Sequence, residues 1–508
     1  MIPYLLCLLF IAVPMFVIET AFGQTFRTIL SERYLAINKR LWGFSYANLF
    51  VCGFFNLYYT VLMAWTFAYL ILSFRNPLPW DNLASLSDGD STSFFNADFF
   101  NDQLLQASDS IDTGEGGLVW LIVLGLFLSY ILVYFAIWKG VESSGKIVYI
   151  TAPLPYVILL ILLIKALTLG GASKGLKFLF VPQWDKLGNF KVWFSAVNQI
   201  IFSSGVGFGP LVFYGACRKP DEKIVTSSVI LPFINSATSI FASIVLFSFL
   251  GHIAEKLNVE IDEIVTQGIQ LAFVAYPAML TTLPGANFWS ILFFVMLLTV
   301  GIDSIFATFD FMSNFIYNEF PALKKKLRKE YFALILCISY FLVGLIFCTH
   351  QGLYFFKLFD HYSVGLPLLF SLVSEIVIIC FIFDIKKLER LMKEFTGESL
   401  PCLIKWTTMT ITFVFGSVAL IGAFIAEFDN PLDLPGWALF LGWFLMMFPI
   451  LLSLLGICIP KRFFLCCFWK YAAINQPKDE DLSKSTSFKK ADNPKTNQVE
   501  PNSNDIPV

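Results

Sequence analysis

Charge is scarce in this chain. Asp, Glu, Lys and Arg make up 14% of its 508 residues, against a hydrophobic share of 57%. A soluble domain carries about 25% charged residues. So little polar surface excludes a soluble globular body, and most of the outer surface must face lipid. With 35 Lys and Arg against 37 Asp and Glu, the net charge of −2 offers no basic surface to nucleic acid. Histidine is nearly missing, present only as His252, His350 and His361. The ten cysteines, such as Cys7, Cys52 and Cys337, lie mostly in apolar runs and show no metal-ligand spacing. No Asn-x-Ser/Thr sequon is present, so N-glycosylation is not expected. There is no Gly-rich phosphate loop and no nucleophile–base set. That sets aside an ATP-driven pump and leaves a membrane enzyme a distant reading.

What is abundant is long apolar sequence, with 57 Phe. A helix needs about 20 mostly apolar residues to cross a bilayer. Eleven segments qualify: roughly 1–23, 44–73, 117–138, 146–170, 192–216, 226–252, 286–316, 331–349, 354–384, 404–428 and 436–459. They define an all-α integral membrane domain over 1–460. The remaining 461–508 are rich in Lys, Asp, Asn, Pro and Ser and read as a disordered cytoplasmic tail.

Basic residues set the orientation. Arg27, Arg33, Lys39 and Arg40 follow the first segment, Lys139 and Lys146 the third, Arg218, Lys219 and Lys223 the fifth. Lys324, Lys325, Lys326, Arg328 and Lys329 follow the seventh, and Lys386, Lys387, Arg390 and Lys393 the ninth. Every second loop is basic and hence cytoplasmic, whereas the loop 76–116 is acidic. The alternation puts Met1 outside, directly before an apolar run with no charged flank. One further crossing upstream is therefore expected.

Polar groups inside hydrocarbon are costly and mark candidate sites. The fifth segment runs Gln199-Ile200-Ile201-Phe202-Ser203-Ser204-Gly205-Val206-Gly207-Phe208-Gly209-Pro210. Gly and Pro there predict a broken helix, and free backbone groups are tolerated only where protein encloses them. A close-packed glycine face is the competing reading. In the sixth segment Asn235 and Ser239 share a helix face, for an ion or for an interhelical hydrogen-bonded patch. In the seventh, Asp303 and Ser304 lie about 15 residues into an apolar run. A carboxylate, a hydroxyl and nearby carbonyls form an all-oxygen set that suits a hard cation, unless the Asp is structural.

These residues resemble the neurotransmitter:sodium symporter family. The resemblance runs from Ile2 to about Ile459. It is carried by Ile2-Pro3-Tyr4, Ile18-Glu19-Thr20-Ala21-Phe22-Gly23-Gln24, Tyr58-Tyr59, Ala64-Trp65, Leu78-Pro79-Trp80 and Trp138-Lys139-Gly140-Val141. Gln199 to Gly209, Asn235-Ser236, Gly301 to Ser304, Glu319-Phe320-Pro321 and Phe359-Asp360-His361-Tyr362 complete it. It implies an inverted-repeat transporter fold with discontinuous helices. Eleven of the usual twelve transmembrane helices are present, and the family's first helix has no counterpart.

The resemblance also implies roles. Ser203 and Asn235 match a first sodium site. Val300 (through its carbonyl), Asp303 and Ser304 match half of a second. Tyr4, Gln199, Ser203 and Ser239 match a chloride site. Tyr59, Phe202, Phe208 and Ser304 match substrate contacts, and Asp360 the acidic half of an extracellular gate. Phe55, one turn before Tyr59, would crowd the pocket and favour a small solute. Thr308 and Asp310 stand where many animal members have Gly and Glu. The implied function is sodium-coupled symport of amino acids or related small amines at the plasma membrane, with chloride as a further ion. The alternative is a non-transporting family member that acts as a regulatory partner or sensor. Homo- or hetero-oligomeric assembly stays open.

Overall fold

The structure is a computed structural model that describes residues 1–81, 95, 97–112, 117–264, 268–429 and 431–461. The helices of Met1–Pro460 form one unit. The tail from 462 on lies outside the described residues, as does part of the acidic outer loop.

Among the described residues, ten helices are long and apolar enough to cross a membrane, and a further apolar segment forms two half-helices. In chain order they are α1 (Ile2–Phe26), α2 (Trp42–Leu72), α3 (Trp120–Ile137) and α4 (Ser143–Leu167). The halves are α5 (Phe190–Ser204) and α6 (Pro210–Cys217). Then come α7 (Val225–Leu257), α8 (Ala286–Glu319), α9 (Lys329–Cys348), α10 (Gly352–Ile382), α11 (Cys402–Asp429) and α12 (Gly436–Cys458). Each sequence-read segment thus has its helix or helix pair. Among the described residues, the only strand-like pairing is an isolated bridge between Leu118 and Thr349.

Helix α2 lies at the centre, packed against α3, α8, α10 and α12. Its aromatic side chains explain why. Trp65 and Tyr69 are fully buried and pack against Phe100 and Phe273. The peripheral α4, α7 and α11 present large apolar residues outward, among them Ile150, Ile164, Ile230, Val414 and Ile425. In lipid this is their favourable environment.

Two local features fix α1. Pro14 has no amide hydrogen, so the carbonyl of Phe10 loses its helical partner. The turn before it widens over Leu8–Ala12, and Thr412 of α11 donates its hydroxyl to Phe10 O at 2.6 Å. At the other end Gly23 meets α6 closely, since a Cβ there would lie 3.0 Å from Gly215 Cα. Small residues let two backbones approach where lipid gives no hydrophobic drive.

Candidate functional site

The helix break is where the sequence places it. Gly205, Gly207 and Gly209 have φ of 70°, 80° and 108°, which other residues rarely adopt. Pro210 then starts α6, where its missing N–H is not needed. Three neighbours meet the freed backbone. Glu19 Oε1 of α1 accepts the Gly207 amide at 2.7 Å. The Ser371 hydroxyl of α10 lies 2.7 Å from Gly207 O and 2.6 Å from Asn48 Oδ1. The Cys52 thiol of α2 donates to Phe208 O at 3.3 Å. Protein therefore encloses the break, as irregular backbone at this depth requires.

Ser203 closes α5 and faces α7. The Asn235 amide donates to Ser203 Oγ at 2.9 Å and to Ser203 O at 3.2 Å. That use of the nitrogen leaves Asn235 Oδ1 without a described donor. One turn on, Ser239 donates to the backbone oxygen of Asn235 at 3.2 Å. Tyr4 reaches the same helix but donates to Ser236, at 3.0 Å. Gln199 is exposed on α5. Of the four residues matched to chloride, the structure brings Ser203 to the Asn235 side chain, one turn before Ser239. Tyr4 is joined to the neighbouring Ser236.

The Asp303 carboxylate is half-buried on α8 and makes no ion pair among the described residues. Thr151 of α4 donates to its Oδ1 at 2.6 Å. The other oxygen, Oδ2, is unspent. Val300 and Ser304 flank it on the exposed side of the helix. The Tyr59 hydroxyl of α2 reaches α8 at Gly301, one turn before Ser304, 3.8 Å from where a Cβ at Gly301 would lie.

Phe55 links the two regions. Its ring stacks on Tyr59 at 4.7 Å and meets Phe208 at 5.6 Å and Phe202 at 6.0 Å. Phe202 and Phe208 are 6.0 Å apart across the break. The three rings matched to substrate thus fall in one connected patch with Phe55 as its hub, and Ser304 lies one turn from the Gly301 that Tyr59 reaches. Tyr58 packs on Phe55 at 5.7 Å. The carboxylate matched to a gate is exposed on α10, next to Phe359, whose ring meets Phe54 of α2 at 6.5 Å.

Several polar partners could not be found from sequence. Thr151 is an ordinary hydroxyl in an apolar run, with no signal that separates it from helix-packing residues, and Ser236 is conspicuous beside Asn235 but not as the partner of Tyr4. Asp310 accepts from Ser144 at 2.7 Å and, with longer geometry, from Tyr214 at 3.5 Å. Thr308 donates to Asn56 Oδ1 at 2.5 Å. The two positions flagged as departures thus serve to tie α8 to α2, α4 and α6.

The chain matches the sodium:neurotransmitter symporter family over residues 1–467. It is 34% identical to the creatine transporter of Torpedo marmorata over 492 residues, covering 91% of this chain and 78% of that one. It is 32% identical to sodium- and chloride-dependent GABA transporter 2 of Mus musculus, covering all of this chain and 86% of the relative. It is also 32% identical to the human sodium- and chloride-dependent neutral and basic amino acid transporter B(0+), covering 89% and 78%. Taken with the broken crossing and its surroundings, a match across nearly the whole membrane domain means that the chain belongs to the sodium:neurotransmitter symporter family.

Proposed function

We propose that this chain is a plasma-membrane symporter that moves a small amino-acid-like solute inward with sodium, with chloride as a further ion. The observation that carries the reading is the patch of Phe55, Tyr59, Phe202 and Phe208. It lies between two oxygen-rich positions, Ser203 with Asn235 and Asp303 with Ser304. Each position keeps an oxygen free for a cation, Asn235 Oδ1 and Asp303 Oδ2. In this reading one sodium takes Ser203 and Asn235. The other takes the Val300 carbonyl, Asp303 and Ser304. Chloride is held by Tyr4, Gln199, Ser203 and Ser239, which requires Tyr4 to turn from Ser236. The Tyr59 hydroxyl, which reaches α8 at Gly301, turns to the solute carboxylate. Phe202 and Phe208 close over its body, Asp360 closes the outer path, and the C-terminus lies in the cytoplasm.

The mechanism follows from charge. Sodium at Asp303 neutralises a carboxylate in a region that disfavours net charge, and this organises α8 against α2. Solute then completes the aromatic patch, and the half-helices move with their bundle. Each charge that falls through 100 mV supplies about 2.3 kcal/mol. Phe55 at the hub leaves little width, which favours compact solutes such as those in the relatives' names.

The test is uptake of labelled creatine, GABA and neutral amino acids into proteoliposomes under an inward sodium gradient. At least one solute should accumulate, and choline in place of sodium should abolish it. Asp303→Asn should lose sodium activation while the protein remains monodisperse. Uptake that ignores sodium, or an Asp303→Asn variant with unchanged sodium activation, would refute the assignment.

A further inference from the structure

Two carboxylates behind the break take no part in the ion and solute positions. Glu19 on α1 is 0% exposed and Glu375 on α10 is 1% exposed. Glu19 Oε1 is engaged with the Gly207 amide. Its Oε2, and both oxygens of Glu375, are buried with no hydrogen-bond partner. Three orphan acceptors in one place are expensive, because a buried group without its hydrogen bond forfeits its hydration for nothing in return.

Charge makes the arrangement harder still. The two carboxylates reach the same peptide region, since Glu19 holds the Gly207 amide and Ser371, one turn before Glu375, holds the Gly207 carbonyl, and the cation that acts on Glu375 is Arg33. Arg33 is itself buried and forms no ion pair with either; its nitrogens donate to Val212 O and Thr28 O. The other titratable neighbours are Tyr34 and Cys380. Basic groups on adjoining elements are turned elsewhere: Lys387 sits over the Phe383 ring and Lys405 on Glu389. Two ionised carboxylates and one guanidinium therefore sum to −1 in a buried site, which strongly disfavours net charge. One added proton brings the sum to zero. It also gives the orphan oxygens a donor, as an O–H from one carboxyl to the other. A metal cation would balance the charge as well, but so few free oxygens would leave its coordination shell unfilled.

We propose that Glu19 and Glu375 bind one proton between them, forming a proton site that backs the Gly207 hinge and is separate from the ion and solute positions. The shared proton leaves Glu19 Oε1 free to hold the Gly207 amide. Ser371, one turn before Glu375, holds the carbonyl of the same peptide region. Removal of the proton sets two like charges against each other across α1 and α10, at the point where the half-helices pivot.

Infrared difference spectroscopy on the full chain in lipid tests this without any transport assay. The wild type should show a protonated carboxyl C=O band at neutral pH that shifts in D2O. Glu19→Gln and Glu375→Gln should each remove the same band, and the double variant should remove no more than either single one. A double variant that loses twice as much means two independent protons and overturns the proposal. So does a spectrum in which neither substitution changes the band. If a Gln variant fails to fold, Glu19→Asp and Glu375→Asp replace it. A shared proton then requires the whole band to move with either substitution, and a band that half stays in place refutes sharing.

Discussion

Thr151 places its hydroxyl 2.6 Å from one oxygen of Asp303, and that bond has consequences for any cation that uses the other. A donor to a carboxylate favours its ionised form and fixes its rotamer. A hydrogen bond to a charged group contributes about 1.5–3 kcal/mol. Thr151→Val keeps the shape and deletes the donor. The variant should need roughly tenfold more sodium for half-maximal uptake, since about 1.4 kcal/mol corresponds to a factor of ten. The deficit should widen at acidic pH, where protons compete better for the unsupported carboxylate. Sodium activation curves at two pH values measure this, and superimposable curves would remove Thr151 from the ion's surroundings. Phe55 argues at the same scale. It touches every ring of the patch, so its size sets the room left for solute.

Elements here are held by what replaces lost backbone bonds. Thr412 serves α1 in this way, by donating to the Phe10 carbonyl that Pro14 orphans. Thr412→Val leaves that carbonyl buried and unpaired, at a cost of about 1–3 kcal/mol. The thermal midpoint of the purified protein in detergent should fall, with no change in sodium dependence of whatever activity remains. An unchanged midpoint would mean that water or another group already serves Phe10. The fifth crossing shows how far sequence reaches at this scale. Gly205, Gly207, Gly209 and Pro210 announce the break because each residue type has its own backbone consequence. Spans were legible for a similar reason, as length and apolarity are local. What holds the break was not legible. Glu19, Ser371 and Cys52 lie more than 150 residues from their backbone partners, by the separations of 188, 164 and 156. No spacing rule connects such pairs. Asp303 was conspicuous from its depth in an apolar run, but Thr151 was one hydroxyl among many.

At the scale of the whole molecule, carrying a solute requires that the site face one side and then the other. The residues of the candidate site are unevenly covered. Phe208 is 5% exposed while Phe202, across the same break, is 40% exposed and Val300 47%. One wall of the patch is therefore buried in the body formed with α2, and the other is open. In a rocking mechanism the open wall is the one that solute and ions draw shut, while the α2 wall stays fixed. Phe202→Cys puts a thiol on the open wall. A charged, membrane-impermeant thiol reagent should modify it in choline medium, as read by mass spectrometry of the peptide that carries position 202. Sodium together with a transported solute should slow that modification several-fold. Phe208→Cys, on the covered side, should react slowly under both conditions. Equal rates at position 202 with and without sodium and solute would mean that the two walls do not close on each other, and the coupling of ion binding to movement would have to lie elsewhere in the bundle.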